Sequence, residues 1–300
     1  MFGPHPFGTI RRRRPPKRTF REKLPSIPMK PDQRTAEAFA SSWNNLPAGS
    51  VYTRDQVADW FQPLTAEDIR GRRVLELGCG NGSLMLHVLG WLPLWLDGLD
   101  LGSAVVSAKK NLAASGRNNW TLRQEDLTSY TSEGYDVVYS IGVLHHLKNP
   151  KLGFESVIRN TAPGGRFHCW VYAKEGNVLI RWLVDPIRHI ASRFPWWLTK
   201  YGLATPLVVP YFIYAKLLAA LPRWPVLRRL PLYEYSLWIA KREFAFFRHV
   251  AFDQLVTPQT VYIARETIDA WLKSSPRIAP ESTYIAMRNG NSWKFGGRVH

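Results

Sequence analysis

Between positions 72 and 173, short apolar runs alternate with stretches of helical periodicity. Val74-Leu75-Glu76-Leu77 breaks into glycines at 78, 80 and 82 and then into Ser83-Leu84-Met85-Leu86-His87-Val88-Leu89, which reads as a strand, a tight turn and a helix start. A second apolar run closes at Asp100, a third precedes Gln124, a fourth runs from Tyr135 into a loop ending at Leu147, and a fifth covers 166–173. Helices are predicted between them at about 81–91, 103–115 and 150–161. This alternation predicts an α/β fold with a parallel sheet and right-handed crossovers. Such a sheet binds ligands beyond the carboxyl ends of its strands, where Gly78, Asp100, Asp126 and the segment 140–146 all fall.

The flanks follow other patterns. From 34 to 62 the periodicity is helical in two pieces, 35–43 and 54–61, and Thr53 with Gln56 gives the second a capping box. Residues 174–258 interleave Trp and Tyr with Arg and Lys, and are read as amphipathic helices inserted after the fifth strand. Within them 202–221 is nearly continuous in apolar residues, but Pro206, Pro210 and Lys216 divide it into pieces shorter than the ~20 residues of a membrane span. The core pattern resumes in 259–300. A helix opens near Arg265 and runs to Leu272, the last two strands are placed at Ile278 and 283–288, and 289–300 reads as a basic, glycine-bearing tail.

Charge adds a second theme. The chain of 300 residues carries 40 Lys and Arg against 23 Asp and Glu, a formal charge of +17, which favours phosphate-bearing partners such as nucleic acid or an anionic membrane surface. Part of the excess lies in 1–32, where Arg11-Arg12-Arg13-Arg14 sits in a Pro-rich stretch without periodicity; this predicts a disordered arm, either docking to phosphates or simply solvated. The segment 19–30 lacks the apolar run of a signal peptide, so a cytoplasmic location is expected, with peripheral membrane attachment as the other option. Cys79 and Cys169 are the only cysteines and make neither a disulfide framework nor a metal-ligand spacing.

The glycine turn carries the first chemical signal. Glycines permit φ > 0 and close approach of backbone to a ligand, and the free N–H groups of the following helix face the same spot. The spacing Gly-x-Gly-x-Gly behind Glu76 departs from the dinucleotide fingerprint, while Asp100, about 20 residues on, is where an acid takes ribose hydroxyls. Together 74–82, Asp100, Asp126, 135–147 and Pro163-Gly164-Gly165-Arg166-Phe167 resemble the class I S-adenosylmethionine-dependent methyltransferases, in the type 11-like, small-molecule branch. The resemblance covers 71–173. It implies a Rossmann-like, doubly wound sheet of seven strands, mostly parallel with an antiparallel last strand, and S-adenosyl-L-methionine as cofactor. It further implies that Glu76, Gly78, Cys79 and Gly80 surround the methionine part, that Asp100 with Leu101 holds the ribose, and that Asp126 with Leu127 reads the adenine. Ser140 would lie beside the cofactor, 33–70 would form a helical lid with Trp43 over it, and 174–258 would form a cap that shapes the acceptor site.

Displacement at a sulfonium methyl needs an acceptor held about 3 Å away and water kept out, with no covalent group on the protein. A base helps where the acceptor is a hydroxyl or amine. His145 and His146, directly after the fourth strand, are candidates, although one ring of such a turn commonly packs under the next helix. His249 is the third candidate, one helical turn from Asp253, with an ordinary surface pair as the alternative. The expected function is methyl transfer to a small-molecule or lipid-like acceptor on O, N or C. The alternatives are an RNA methyltransferase docking through the arm and cap, and a cofactor-binding protein without catalysis.

Overall fold

Strands form on the apolar runs: β1 (Arg73–Leu77), β2 (Trp95–Asp100), β3 (Trp120–Gln124), β4 (Tyr135–Ile141), β5 (Thr161–Tyr172), β6 (Tyr284–Arg288) and β7 (Ser292–Arg298). This computed structural model describes residues 31–43 and 52–300, so all but the last two residues of the arm, and the connection at 44–51, lie outside the described residues. The seven strands make one sheet in the order β3-β2-β1-β4-β5-β7-β6. All pairs from β3 to β5 are parallel, and β7 alone runs against the rest, antiparallel to both β5 and β6.

The end of the chain differs from its sequence reading. What reads as a tail is the last strand, buried along almost its whole length, and Ile278 makes only a single bridge to Val299. Asn289 and Gly290 both take positive φ (49° and 67°), and the turn closes with Asn291 N–H donating to Arg288 O at 3.2 Å. Asn-Gly is a strong two-residue hairpin signal. Strand β7 looks polar because it holds Lys294 and two glycines, yet Lys294 Nζ donates to Asp59 O at 2.7 Å, and a Cβ on Gly296 would meet Phe167 O at 2.3 Å.

Helices cover both faces. Phe154 and Val157 of α6 (Pro150–Asn160) and Ile268 and Trp271 of α11 (Arg265–Ser274) pack with Leu75, Val138, Phe167 and Phe295. Each such buried side chain contributes roughly 1.5–3 kcal/mol. On the other face, α2 (Arg54–Phe61) and α4 (Ser83–Gly90) pack on Val74, Val137 and Tyr139, with Leu112 of α5 (Val105–Ala113) beside them and the short α3 (Ala66–Ile69) following α2. The Thr53 capping box on α2 forms. The segment read as one lid thus divides: α2 belongs to the layer against the sheet, with the Phe61 ring 4.8 Å from Tyr139, while α1 (Pro31–Trp43) crosses the carboxyl edge of the strands. There Glu37 accepts from Ser103 N–H (3.0 Å) and Ser103 Oγ (2.7 Å), and Asp32 accepts from Lys148 N–H at 2.6 Å.

The cap comprises α7 (Val178–Ala191), a π-helical stretch Leu198–Ala204 that continues into α8 (Thr205–Ala220), α9 (Tyr233–Ile239) and α10 (Phe244–Val256). It has its own apolar cores, Val208, Ala215, Ile239 and Phe247 in one, Ala191, Ala204, Phe252 and Leu255 in another. The prolines do not divide the central helix as the sequence suggested. Leu198–Ala220 is one helical run of 23 residues, long and apolar enough by length and composition to cross a membrane. Pro206 falls at the junction between the π-helical stretch and α8, and Pro210 is accommodated inside α8.

Candidate active site

A cavity of about 500 Å³ runs from the glycine turn, under α1, into the cap. At its core end Glu76 is the penultimate residue of β1 and Asp100 closes β2, so parallel pairing sets both acids near the carboxyl ends of adjacent strands. Asp100 Oδ2 accepts from Gly80 N–H at 2.9 Å and Oδ1 from Gly102 N–H at 2.8 Å. Burial raises the Asp100 pKa, and the two amides oppose that. Glu76 is buried and its pKa is pushed up to about 8 by desolvation; Tyr139 Oη, donating to Glu76 Oε2 at 2.7 Å, opposes the rise and the charge on Asp100 adds to it. Burial likewise raises the Cys79 thiol.

The glycines differ in what they do. All three of 78, 80 and 82 have positive φ, but a Cβ on Gly78 would strike Val143, whereas one on Gly80 would meet nothing within 4 Å among the described residues and stand in open space beside the cavity. A buried and a half-buried acid facing a cavity, next to a glycine whose missing Cβ leaves it clear, fit a ligand with an ammonium group and ribose hydroxyls. S-adenosylmethionine carries both.

Of the cofactor-site candidates, Glu76, Gly78, Cys79, Gly80, Asp100, Leu101, Asp126, Leu127 and Trp43 line this one cavity. Asp126 spends Oδ1 on an Asx turn, accepting from Thr128 N–H (2.9 Å) and Thr128 Oγ1 (2.7 Å). Ser140 does not line the cavity. Its side chain is fully buried within the sheet and its hydroxyl donates to Leu77 O at 2.9 Å, so it ties β4 to β1 instead.

The histidines separate in the same way. His145 has no exposed surface and does not reach the cavity; its ring lies 4.1 Å from both His146 and Tyr172, and neither nitrogen has a hydrogen-bond partner among the described residues. Burial holds its pKa well below the ordinary histidine value, so it packs as a neutral ring and is removed from the catalytic candidates. His146 lines the cavity under Phe39 (4.8 Å), with Nδ1 3.1 Å from Gln259 O, and burial pushes its pKa down to about 3. So weak a base is poorly matched to proton abstraction near neutrality.

His249 and Asp253 both line the cavity from α10. His249 Nε2 lies 3.2 Å from Asp253 Oδ2, while His249 Nδ1 is buried without a partner among the described residues. The Trp43 ring stands edge-on to His249 at 6.1 Å, so α1 touches the pair directly. Phe39 and Tyr52, read from the sequence as lid residues, and Tyr235 and Trp238 of the aromatic cap also line the cavity, whereas sequence reasoning did not single out Trp60 and Arg288. Arg288 is held by the Asp59 carboxylate, with Nε to Oδ2 at 2.6 Å, and lies near the faces of Trp238 (4.9 Å) and Trp60 (5.9 Å). Its only sequence cue was a basic residue ending an apolar strand.

A Gly-x-Gly turn, an acid at the end of the neighbouring strand and a helix across both define an α/β protein that binds a nucleoside cofactor. Residues 75–167 match the family model for a methyltransferase domain. Over that span the chain is similar to the class I S-adenosylmethionine-dependent methyltransferases, as its motifs imply. The tRNA U34 carboxymethyltransferase of Azotobacter vinelandii is 32% identical over 170 residues, covering 53% of this chain and 52% of that protein. The phthiotriol/phenolphthiotriol dimycocerosates methyltransferase of Mycobacterium tuberculosis is 24% identical over 153 residues, covering 49% and 56%. Among solved structures, the magnesium protoporphyrin IX methyltransferase of Synechocystis PCC 6803 with bound SAH aligns at a TM-score of 0.46 with 16% identity, over 82% of this chain and 81% of that one. The chain spans about half the length of these curated relatives.

Proposed function

We propose that this chain transfers a methyl group from S-adenosylmethionine to an apolar, lipid-like acceptor held in the cap half of the cavity. The observation that carries the reading is the continuity of that cavity, from Glu76, Gly80 and Asp100 to a wall of Ile180, Val184, Val208 and Phe247. The two curated relatives are named for phthiotriol dimycocerosates and for tRNA position U34, so likeness alone does not choose an acceptor. The aliphatic and aromatic wall favours the first kind, because a polyanion gains nothing from it.

When bound, the cofactor's sulfonium supplies an electrophilic methyl group. The residues of the chain do the rest. Asp100 and Glu76 anchor the ribose and ammonium ends, and Phe39 and Trp43 on α1 shield the site from water. Asp253 accepts the Nε2 proton of His249, which leaves Nδ1 as the nitrogen with a free lone pair, able to take a proton from an acceptor hydroxyl.

The test supplies tritiated methyl donor with a total lipid extract in one reaction and with tRNA in another. Label is expected in the organic phase, and label confined to RNA would overturn the reading.

A further inference from the structure

The cap is apolar outside as well as inside. On α7, Val178, Leu179, Trp182, Leu183 and Ile190 repeat at helical spacing and are exposed, Trp182 to 78%. On α8, Val209, Ile213 and Leu217 make a second exposed stripe. Stripes of this kind normally face a partner. Leu179, Leu183 and Leu207 are exposed and also line the cavity, so the apolar surface is continuous with the cavity mouth.

Charge identifies the partner. Across 178–230 the cap carries eight Lys and Arg against a single acid, Asp185, and Arg181, Arg193, Arg223, Arg228 and Arg229 are exposed. Exposed Trp196, Trp197 and Trp224 accompany them. Apolar stripes flanked by indoles and guanidinium groups match the layered polarity of a bilayer surface, with acyl chains below and anionic headgroups above.

We infer that the outer face of α7 and α8 docks peripherally on an anionic lipid bilayer and opens the cavity mouth toward it. The inference rests on the proposed acceptor class for its purpose, though not for its test. Docking leaves the central helix lying on the membrane. Val208, Ala215 and Leu218 of α8 are buried inside the cap, and Lys216 Nζ donates to Ala240 O at 2.7 Å, contacts that a spanning Leu198–Ala220 would have to give up.

The full chain is floated with phosphatidylcholine vesicles, with and without phosphatidylglycerol, alongside a Trp182→Glu/Leu217→Glu variant. Both positions are exposed and outside the cavity wall, so the fold and cofactor binding stay intact, which calorimetry with the cofactor checks independently. Wild type is expected to float with phosphatidylglycerol vesicles and to be released by carbonate wash, and the variant to lose roughly tenfold or more of that binding. Equal flotation of wild type and variant would assign docking to the basic arm and overturn the inference, as would no flotation at all. Resistance to carbonate would point to a spanning helix, and a dimer abolished by the same substitutions would point to a second copy; either result overturns it too. Loss of lipid methylation with flotation intact would count against the acceptor class alone.

Discussion

His249 and Asp253 stand one turn apart on α10 with Nε2 and Oδ2 3.2 Å apart, and the remaining ring nitrogen, Nδ1, is buried without a hydrogen-bond partner among the described residues. A buried polar atom left unpaired is costly in a structural role and useful in a catalytic one. If Nδ1 is the base, His249→Ala lowers single-turnover methyl transfer by about 10²–10⁴-fold and leaves cofactor affinity unchanged. Asp253→Ala gives a smaller loss, because the imidazole remains but its tautomer is no longer fixed. Unchanged turnover in His249→Ala would return the pair to a packing role.

Asp100 predicts a binding defect with turnover chemistry intact. Its carboxylate already accepts from the Gly80 and Gly102 amides, so it is held in position before any ligand arrives. Removing a charged acceptor for ribose hydroxyls costs about 1.5–3 kcal/mol per hydrogen bond, so Asp100→Ala should weaken cofactor binding by roughly 10- to 100-fold or more. Calorimetry giving wild-type affinity would remove Asp100 from the site.

These residues were legible in the sequence to different degrees, for physical reasons. Glu76, Gly78, Gly80 and Asp100 were readable because strand ends and positive-φ turns are local properties. The i, i+4 relation of His249 and Asp253 was readable as well, but not what the pair would face. His145 and His146 are adjacent in a single turn, and only tertiary packing against Tyr172 and Phe39 decides which ring reaches the cavity. Ser140 was misread because its position at the strand end is right while its hydroxyl turns into the sheet. Strand β7 was missed because its polar and glycine residues are made burial-competent by distant partners, Asp59 for Lys294 and Phe167 for Gly296. The cap helices pack on one another over long sequence distances, which no local pattern encodes.

Buried histidines predict sensitivity to acid. Burial depresses His145 well below the ordinary 6.5, takes His146 to about 3 and takes His168 to about 4. The folded chain keeps all three neutral where the unfolded chain protonates them. Their contribution to stability is therefore complete above pH 6.5 and is lost as pH falls toward 4. Glu76, protonated in the folded state between 4.5 and about 8, offsets one of the three protons over the range from 4.5 to 6.5. The three imidazoles outweigh the one carboxyl, so stability is expected to fall as pH drops below 6.5, read from urea melts at pH 7, 6 and 5. His145→Phe replaces an unpaired buried ring with an apolar one and should reduce that slope by about one proton without loss of methyl transfer.

Glu76 gives the complementary prediction on the basic side. Its folded pKa, about 8, lies above the 4.5 of a free side chain, so the folded chain binds a proton that the unfolded chain has lost across that interval. The stability it contributes is complete below 4.5 and disappears as pH rises through 8, and Glu76→Gln, which stays neutral, should be more stable than wild type at pH 9. A cofactor ammonium beside Glu76 favours the carboxylate, since an opposite charge lowers the pKa that burial has raised. Cofactor binding at pH 7 should therefore release close to one proton. Calorimetry in phosphate and in Tris reads that release as a difference in apparent enthalpy, because the buffer takes up the proton with a different heat in each. The difference should vanish at pH 9, where Glu76 is already ionised, and in Glu76→Gln, where there is no proton to lose. Equal enthalpies in the two buffers at pH 7 would mean that Glu76 does not meet the ammonium, and that its burial serves Tyr139 and the sheet alone.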